Sequence, residues 1–172
     1  HGKETSYNNL LDIESAINLI DEFNEATCAV IKHNNACGVA SRPVLGEAWE
    51  AALACDPVSA YGGVAIVNRE VDETVAARMD KIFLEIVMAP SFTERAVEIL
   101  SSKKNRIILR RKISGADGSS FRSMLGGVLW QERDRSSETA AGMKPVTTRH
   151  PSDEEYRDMV FANKIVKHSR SN

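Results

Sequence analysis

Short β-branched runs alternate along this chain with segments whose apolar residues recur every three or four positions, and that alternation confines it to a layered α/β architecture. Ile13, Ala16, Ile17, Ile20 and Phe23 share one helical face, with Asp12 as the expected N-cap. Thr27 to Lys32 is a strand-length apolar run, and the Asn and Gly content of His33-Asn34-Asn35-Ala36-Cys37-Gly38 marks a loop that ends it. Leu45, Ala48, Trp49, Ala52 and Leu53 give a second helix, stopped by Asp56-Pro57. Tyr61-Gly62-Gly63 leads into a strand over Val64 to Val67, followed by a helix capped near Asp72 that carries Val75, Met79, Ile82 and Phe83. A strand over Ile86 to Ala89 ends at Pro90, a helix with Phe92, Ala96, Val97 and Leu100 follows, and Arg106 to Leu109 makes a further strand. The order predicts an at least partly parallel sheet with right-handed crossovers.

Leu125 to Gln131 predicts one more strand, and Glu132 to Pro151 turns polar and irregular, as a connection does. Ser152 to His168 reads as a helix, with Ser152 and Glu155 spaced for a capping box and Tyr156, Met159, Val160, Asn163 and Val166 at near-helical spacing. With 172 residues, 42% of them hydrophobic and 27% charged, a core can form without metal or disulfide staples. Lys plus Arg is 22 against 24 Asp plus Glu, a formal charge of -2, so no overall electrostatic footprint for nucleic acid exists and any anion needs a local site. The longest apolar runs fall far short of the ~20 residues that cross a bilayer. Cys28, Cys37 and Cys55 form no CxxC pair, which points to reduced, cytoplasmic thiols rather than a disulfide framework or a zinc site. The opening residues predict no signal peptide, and the missing initiator Met predicts a fragment.

Ligands of open α/β sheets sit outside the carboxyl ends of strands, and Lys32 and His33 fall at such an end. A neighbouring ammonium makes an imidazolium costlier, as suits a general base, and the Lys can stabilise an oxyanion. The same dipeptide also occurs as a solvated turn. Gly38 and Gly62-Gly63 mark strand boundaries where backbone can approach a ligand, but neither GxGxxG nor GxxxxGK[ST] is present and tight turns are the favoured reading of each glycine on its own. Glu85 suits a ribose hydroxyl or an amide, or else a solvated helix end. Arg110, Arg111 and Lys112 are a phosphate site or a solvated face, and Cys37 is a thiol nucleophile with His33 as base or a small buried residue beside a turn. The H-x-E and P-C-x-x-C elements of the zinc deaminases are absent.

Taken together, Lys32-His33-Asn34-Asn35-Ala36-Cys37-Gly38-Val39-Ala40, Asp56-Pro57-Val58-Ser59-Ala60-Tyr61-Gly62-Gly63 and Ile86-Val87-Met88-Ala89-Pro90 closely resemble the transformylase half of the bifunctional purine biosynthesis proteins. That family joins AICAR (phosphoribosylaminoimidazolecarboxamide) formyltransferase to IMP cyclohydrolase. Gly2-Lys3-Glu4 with Ser6-Tyr7-Asn8-Asn9-Leu10-Leu11-Asp12, and the closing Lys167-His168-Ser169-Arg170-Ser171-Asn172, resemble its bacterial form, so the likeness spans the chain. It implies a cytidine-deaminase-like α/β/α fold with a mixed sheet and no zinc. It further implies a first deaminase-like subdomain over residues 1–131, then a linker and helix over 132–172 leading to a missing second half.

By the resemblance, His33 is the general base on the AICAR amine and Lys32 stabilises the transition state as the formyl group leaves 10-formyltetrahydrofolate. Gly62, Glu85 and Asn172 match positions that contact the nucleotide, no metal takes part, and the site is assembled in a cytoplasmic homodimer. A fragment lacking the second half would then be inactive alone. The rival reading is a non-catalytic nucleotide-binding or dimerisation module whose Lys-His turn is structural.

Overall fold

Residues 1–112 and 118–170 are described in the computed structural model, which forms two units, His1–Lys112 with Lys164–Asn172, and Ile113–Asn163. In the first unit, helix α1 (Tyr7–Ile20) is capped by Ser6 and not by the expected Asp12. The Ser6 hydroxyl accepts the Asn9 N–H at 3.1 Å and the Asn9 side chain accepts the Ser6 N–H at 3.0 Å. Asn9 here fills the role that Glu or Gln takes in the usual capping box, so the polar opening is already helix and Asp12 lies inside it.

Strand β1 (Thr27–Lys32) is followed after two residues by strand β2 (Asn35–Ser41), its antiparallel partner. The expected loop over residues 33–38 is therefore a hairpin. Its central residues, His33 at φ 53° and Asn34 at φ 64°, meet the positive-φ requirement of a type I′ turn, whose twist matches that of the strands. Asn and Gly were misleading within β2, because Gly38 serves close approach. A Cβ there would lie 1.9 Å from the Ala52 carbonyl oxygen, so only glycine lets the next helix press on this strand.

That helix is α2 (Leu45–Cys55), and β3 (Val64–Val67), α3 (Glu73–Met79), β4 (Ile86–Ala89), α4 (Glu94–Leu100) and β5 (Ile107–Arg110) follow in the order that the sequence pattern predicts, except that Ile82 and Phe83 lie beyond the end of α3 and Phe92 ahead of α4. Asp72 caps α3 by accepting the Val75 N–H at 2.8 Å, and Thr93 caps α4 from the Ala96 N–H at 3.2 Å. The five strands form one mixed sheet in the order β2-β1-β3-β4-β5. β3, β4 and β5 are parallel, while β1 runs antiparallel to both its neighbours.

Strand alternation divides the core between two faces. Val30, Ala65, Val67, Val87, Ala89 and Ile108 pack with Trp49, Met79, Leu100 and other buried residues of α2, α3 and α4. The intervening Ala29, Ile31, Ile66, Ile86, Met88 and Ile107 are equally buried on the opposite face, where α1 packs on β1 and β3 with Ala16, Leu19 and Ile20. Each large aliphatic side chain so buried contributes about 1.5–3 kcal/mol. Helices thus flank both faces of the sheet.

Arg106, which the sequence pattern assigned to the start of a strand, instead precedes β5 as a fully buried cation. Its guanidinium donates to Asp80 Oδ1 at 2.6 Å and to the carbonyl oxygens of Leu100, Ile82 and Leu84 at 3.1, 3.3 and 3.4 Å. It gathers the carboxyl ends of α3 and α4, where unpaired carbonyls concentrate negative charge.

The second unit contains a separate antiparallel hairpin of β6 (Ser119–Met124) and β7 (Gly127–Glu132). Leu125, expected to open a strand, is the first turn residue at φ 48°, with Gly126 at φ 82° beside it. β6 reads Ser-Ser-Phe-Arg-Ser-Met and has no apolar alternation to announce it. A 3-10 turn at Ala140–Gly142 interrupts the polar connection. Helix α5 (Asp153–Lys167) begins with the expected capping box, Ser152 N–H to Glu155 at 2.8 Å and Glu155 N–H to the Ser152 hydroxyl at 3.2 Å.

Candidate active site

The pairs Ile31–Val64, Val64–Ile86 and Ile86–Ile107 lie in register, so they form a row across four strands of the first unit. One position beyond that row stand Lys32, Gly63, Glu85 and Arg106. Lys32 is at the carboxyl end of β1, as expected, but β1 runs against β3, β4 and β5. This end of the sheet is therefore the amino end of the parallel strands, opposite to the end where open parallel sheets bind ligands. Periodicity locates a strand without giving its direction, which is why the strand end was foreseen and the side of the sheet it occupies was not.

Lys32, His33, Asn35, Ala36, Cys37, Asp56 and Ser59 line an open cleft of about 420 Å³. His33 is exposed on the two-residue turn, and the half-buried Lys32 donates from Nζ to the Tyr61 carbonyl at 2.9 Å. The turn is held on two sides. Asp12 accepts the Asn34 N–H at 2.7 Å and Ser15 donates to the Asn34 side chain at 3.2 Å, both from α1. The Arg170 N–H donates to Asn35 Oδ1 at 2.7 Å.

Glu22 anchors the segment that brings Arg170 there. Lys167 Nζ and His168 Nε2 each lie 2.8 Å from its Oε1, and their hydrogen bonds hold its carboxyl below the ordinary range despite the opposing effect of burial. Asn172, expected at the substrate, lies outside the described residues.

Gly62 and Glu85 lie at the same sheet end without lining this cleft. Gly62 adopts φ 77°, a left-handed conformation that favours glycine, and its N–H donates to the Phe83 carbonyl at 2.8 Å. The Glu85 N–H donates to the Gly63 carbonyl at 3.0 Å, which ties the turn before β3 to the turn before β4. Its side chain accepts from Lys3 at 2.8 Å and Asn9 at 3.1 Å, and the Lys3 bond in particular lowers its pKa. Glu85 is thus an ion-paired residue ahead of a strand rather than a solvated helix end.

Asp56 is an ionised carboxylate on the cleft wall. Its pKa is lowered by the Ser59 side chain, then by the Ser59 N–H, which it accepts at 2.9 Å. Asp56-Pro57-Val58-Ser59 spells an Asx-type turn, a local signal in the sequence that could have paired these two residues with each other. Burial first, then Asp56, pushes the Cys37 thiol up, the reverse of what an activated nucleophile needs. In the basic cluster Arg110 and Lys112 are exposed, whereas the largely covered Arg111 is ion-paired with Asp21. Among the described residues no group of three His, Cys, Asp or Glu side chains could hold a metal ion, and no helix is long and apolar enough to cross a membrane.

The fold and cleft define an α/β unit that presents an imidazole, an ammonium and a carboxylate around one open polar volume. Residues 1–172 match the AICARFT/IMPCHase bienzyme family, and the chain belongs to that family. It is 55% identical over its whole length to the bifunctional purine biosynthesis protein PurH of Bacteroides thetaiotaomicron. It is 48% identical to the PurH of Caldicellulosiruptor bescii and 44% to that of Persephonella marina, again over all of this chain. In each case the match covers 34% of the relative, so the chain spans about a third of the length of these curated proteins.

Proposed function

We propose that this chain is part of the transformylase half of a purine biosynthesis bienzyme and that it carries the general base and the oxyanion-stabilising cation of formyl transfer. The observation that supports this most is that Lys32 and His33 line one cleft, on a hairpin turn braced by α1 and by Arg170. In this reading the 5-amino group of AICAR attacks the formyl carbon of 10-formyltetrahydrofolate while His33 takes the amine proton. An amine conjugated with a carboxamide is a weak nucleophile, so removing its proton raises its reactivity. The Lys32 ammonium neutralises the tetrahedral oxyanion, which collapses to FAICAR as N10 of tetrahydrofolate leaves and is protonated.

Gly62, Glu85 and Asn172 are the proposed nucleotide contacts. For Glu85 this means that the Lys3 and Asn9 bonds orient its carboxylate. Residues 1–131 are proposed as the first, cytidine-deaminase-like subdomain and 132–172 as the link to a second half that supplies folate contacts. The site is completed in a cytoplasmic homodimer, and the 172-residue piece is inactive alone.

The test is formyl transfer by the full-length parent carrying His33→Ala or Lys32→Ala. Removal of a general base or of an oxyanion donor lowers the rate by ~100-fold or more. Near-normal turnover of His33→Ala overturns the role assigned to that residue, and an inactive unmodified parent overturns the reading as a whole.

A further inference from the structure

We infer that Asp12 is a positioning residue for His33, acting from α1 through the backbone of the hairpin turn. The inference rests on the reading of His33 as the general base. In a two-residue turn the flanking residues close the ladder, here Lys32 with Asn35, and the N–H of the second turn residue has no partner within it. That donor is the Asn34 N–H, and Asp12 Oδ1 accepts it at 2.7 Å in a charge-assisted bond. Ser15, three residues on and so on the same face of α1, donates to Asn34 Oδ1 at 3.2 Å. One helix therefore grips both the backbone and the side chain of the residue that follows His33.

The turn needs such a grip. Asn-Gly sequences adopt two consecutive positive φ angles readily; here neither turn residue is glycine, and although His and Asn are among the side chains that enter the left-handed region most often, two in succession are uncommon. The α1 terminus is already capped by Ser6 and Asn9, which leaves the Asp12 carboxylate to the turn. Because His33 is exposed, its Cα–Cβ direction is fixed by the turn backbone rather than by packing around the ring. A general base displaced by an ångström loses much of its effect, so the bond from Asp12 bears on turnover more than on substrate affinity.

The experiment compares Asp12→Ala, Asp12→Asn, Ser15→Ala and His33→Ala in the full-length parent, reading kcat, the KM of both substrates and the thermal midpoint. For Asp12→Ala, kcat falls about 10- to 100-fold with both KM values within about twofold, as loss of a hydrogen bond to a charged group predicts. Asp12→Asn keeps an acceptor oxygen and recovers most of that loss. Ser15→Ala costs about threefold in kcat, since it removes a neutral bond, and it serves as the readout should Asp12→Ala fail to fold. If His33→Ala abolishes transfer while Asp12→Ala or Ser15→Ala leaves kcat unchanged, the positioning role is overturned and the functional reading survives. A change confined to KM, or equal losses in the Ala and Asn variants of Asp12, overturns it as well. Full activity of His33→Ala overturns both.

Discussion

Replacing Arg106 by Met tests whether the buried guanidinium holds the carboxyl ends of α3 and α4 together. The methionine fills much of the arginine stem's volume, so the change isolates the polar contacts from the packing. Of the four bonds, those to Ile82 and Leu84 at 3.3 and 3.4 Å are long and add little. The Leu100 carbonyl, bonded at 3.1 Å at the end of α4, loses a donor inside the protein, at a cost of about 1–3 kcal/mol. The Asp80 carboxylate loses a 2.6 Å charged partner, but its side chain is 25% exposed and regains water, which limits its share to about 1 kcal/mol. The expected loss is about 3 kcal/mol, below the upper range for breaking a fully buried ion pair. Equilibrium urea unfolding followed by circular dichroism at 222 nm measures it, and a chain of this size should lose roughly 6–12 °C in Tm. Arg106→Lys should fall between the two, because an ammonium reaches Asp80 but cannot span the carbonyls. A loss under about 1 kcal/mol for Arg106→Met would refute the argument, showing that apolar packing holds these helix ends unaided.

Gly38→Ala should cost at least about 2 kcal/mol, because its Cβ would meet the rigid Ala52 carbonyl at 1.9 Å and force β2 away from α2; thermal melts read the loss. Glu22 has a lowered folded-state pKa, so the stability it contributes is complete above the unfolded value of about 4.3 and disappears as pH falls through the folded one. Urea midpoints of wild type and Glu22→Gln between pH 7 and pH 3 should therefore converge at the acid end, and a constant gap would contradict the ion-pair account. Cys37→Ser in the full-length parent should leave formyl transfer within about threefold, because burial raises this thiol rather than activating it; a collapse in kcat would restore the nucleophile reading.

The buried strands were legible because β1, β3 and β4 are apolar on both faces and so stand out as continuous runs between polar breaks. The hairpin partner β2 was hidden by Asn35, Ala36, Cys37 and Gly38, residues that do not mark a strand and are accepted here for the cleft and for close packing on α2. Lys32 and His33 could be singled out from their place at a strand end. Asn35 follows them directly in the hairpin, but Asp56 and Ser59 could not be joined to them by spacing alone, because only the packing of α2 on β1 and β2 brings the end of that helix to the turn. The antiparallel direction of β1, which decides the end of the sheet they occupy, has no counterpart in hydrophobic periodicity.

The bond from the Arg170 N–H to Asn35 also sets a clock on assembly. The two residues are 135 positions apart, and a ribosome adding ~5–20 residues per second needs roughly 7–27 s to make that stretch. The β1–β2 hairpin and its contacts with α1 involve residues that emerge together and close early. The outer brace on Asn35, and the Lys167 and His168 contacts with Glu22, must wait for the end of α5. During synthesis the turn bearing His33 is therefore supported from one side only until α5 and the residues after it have been made.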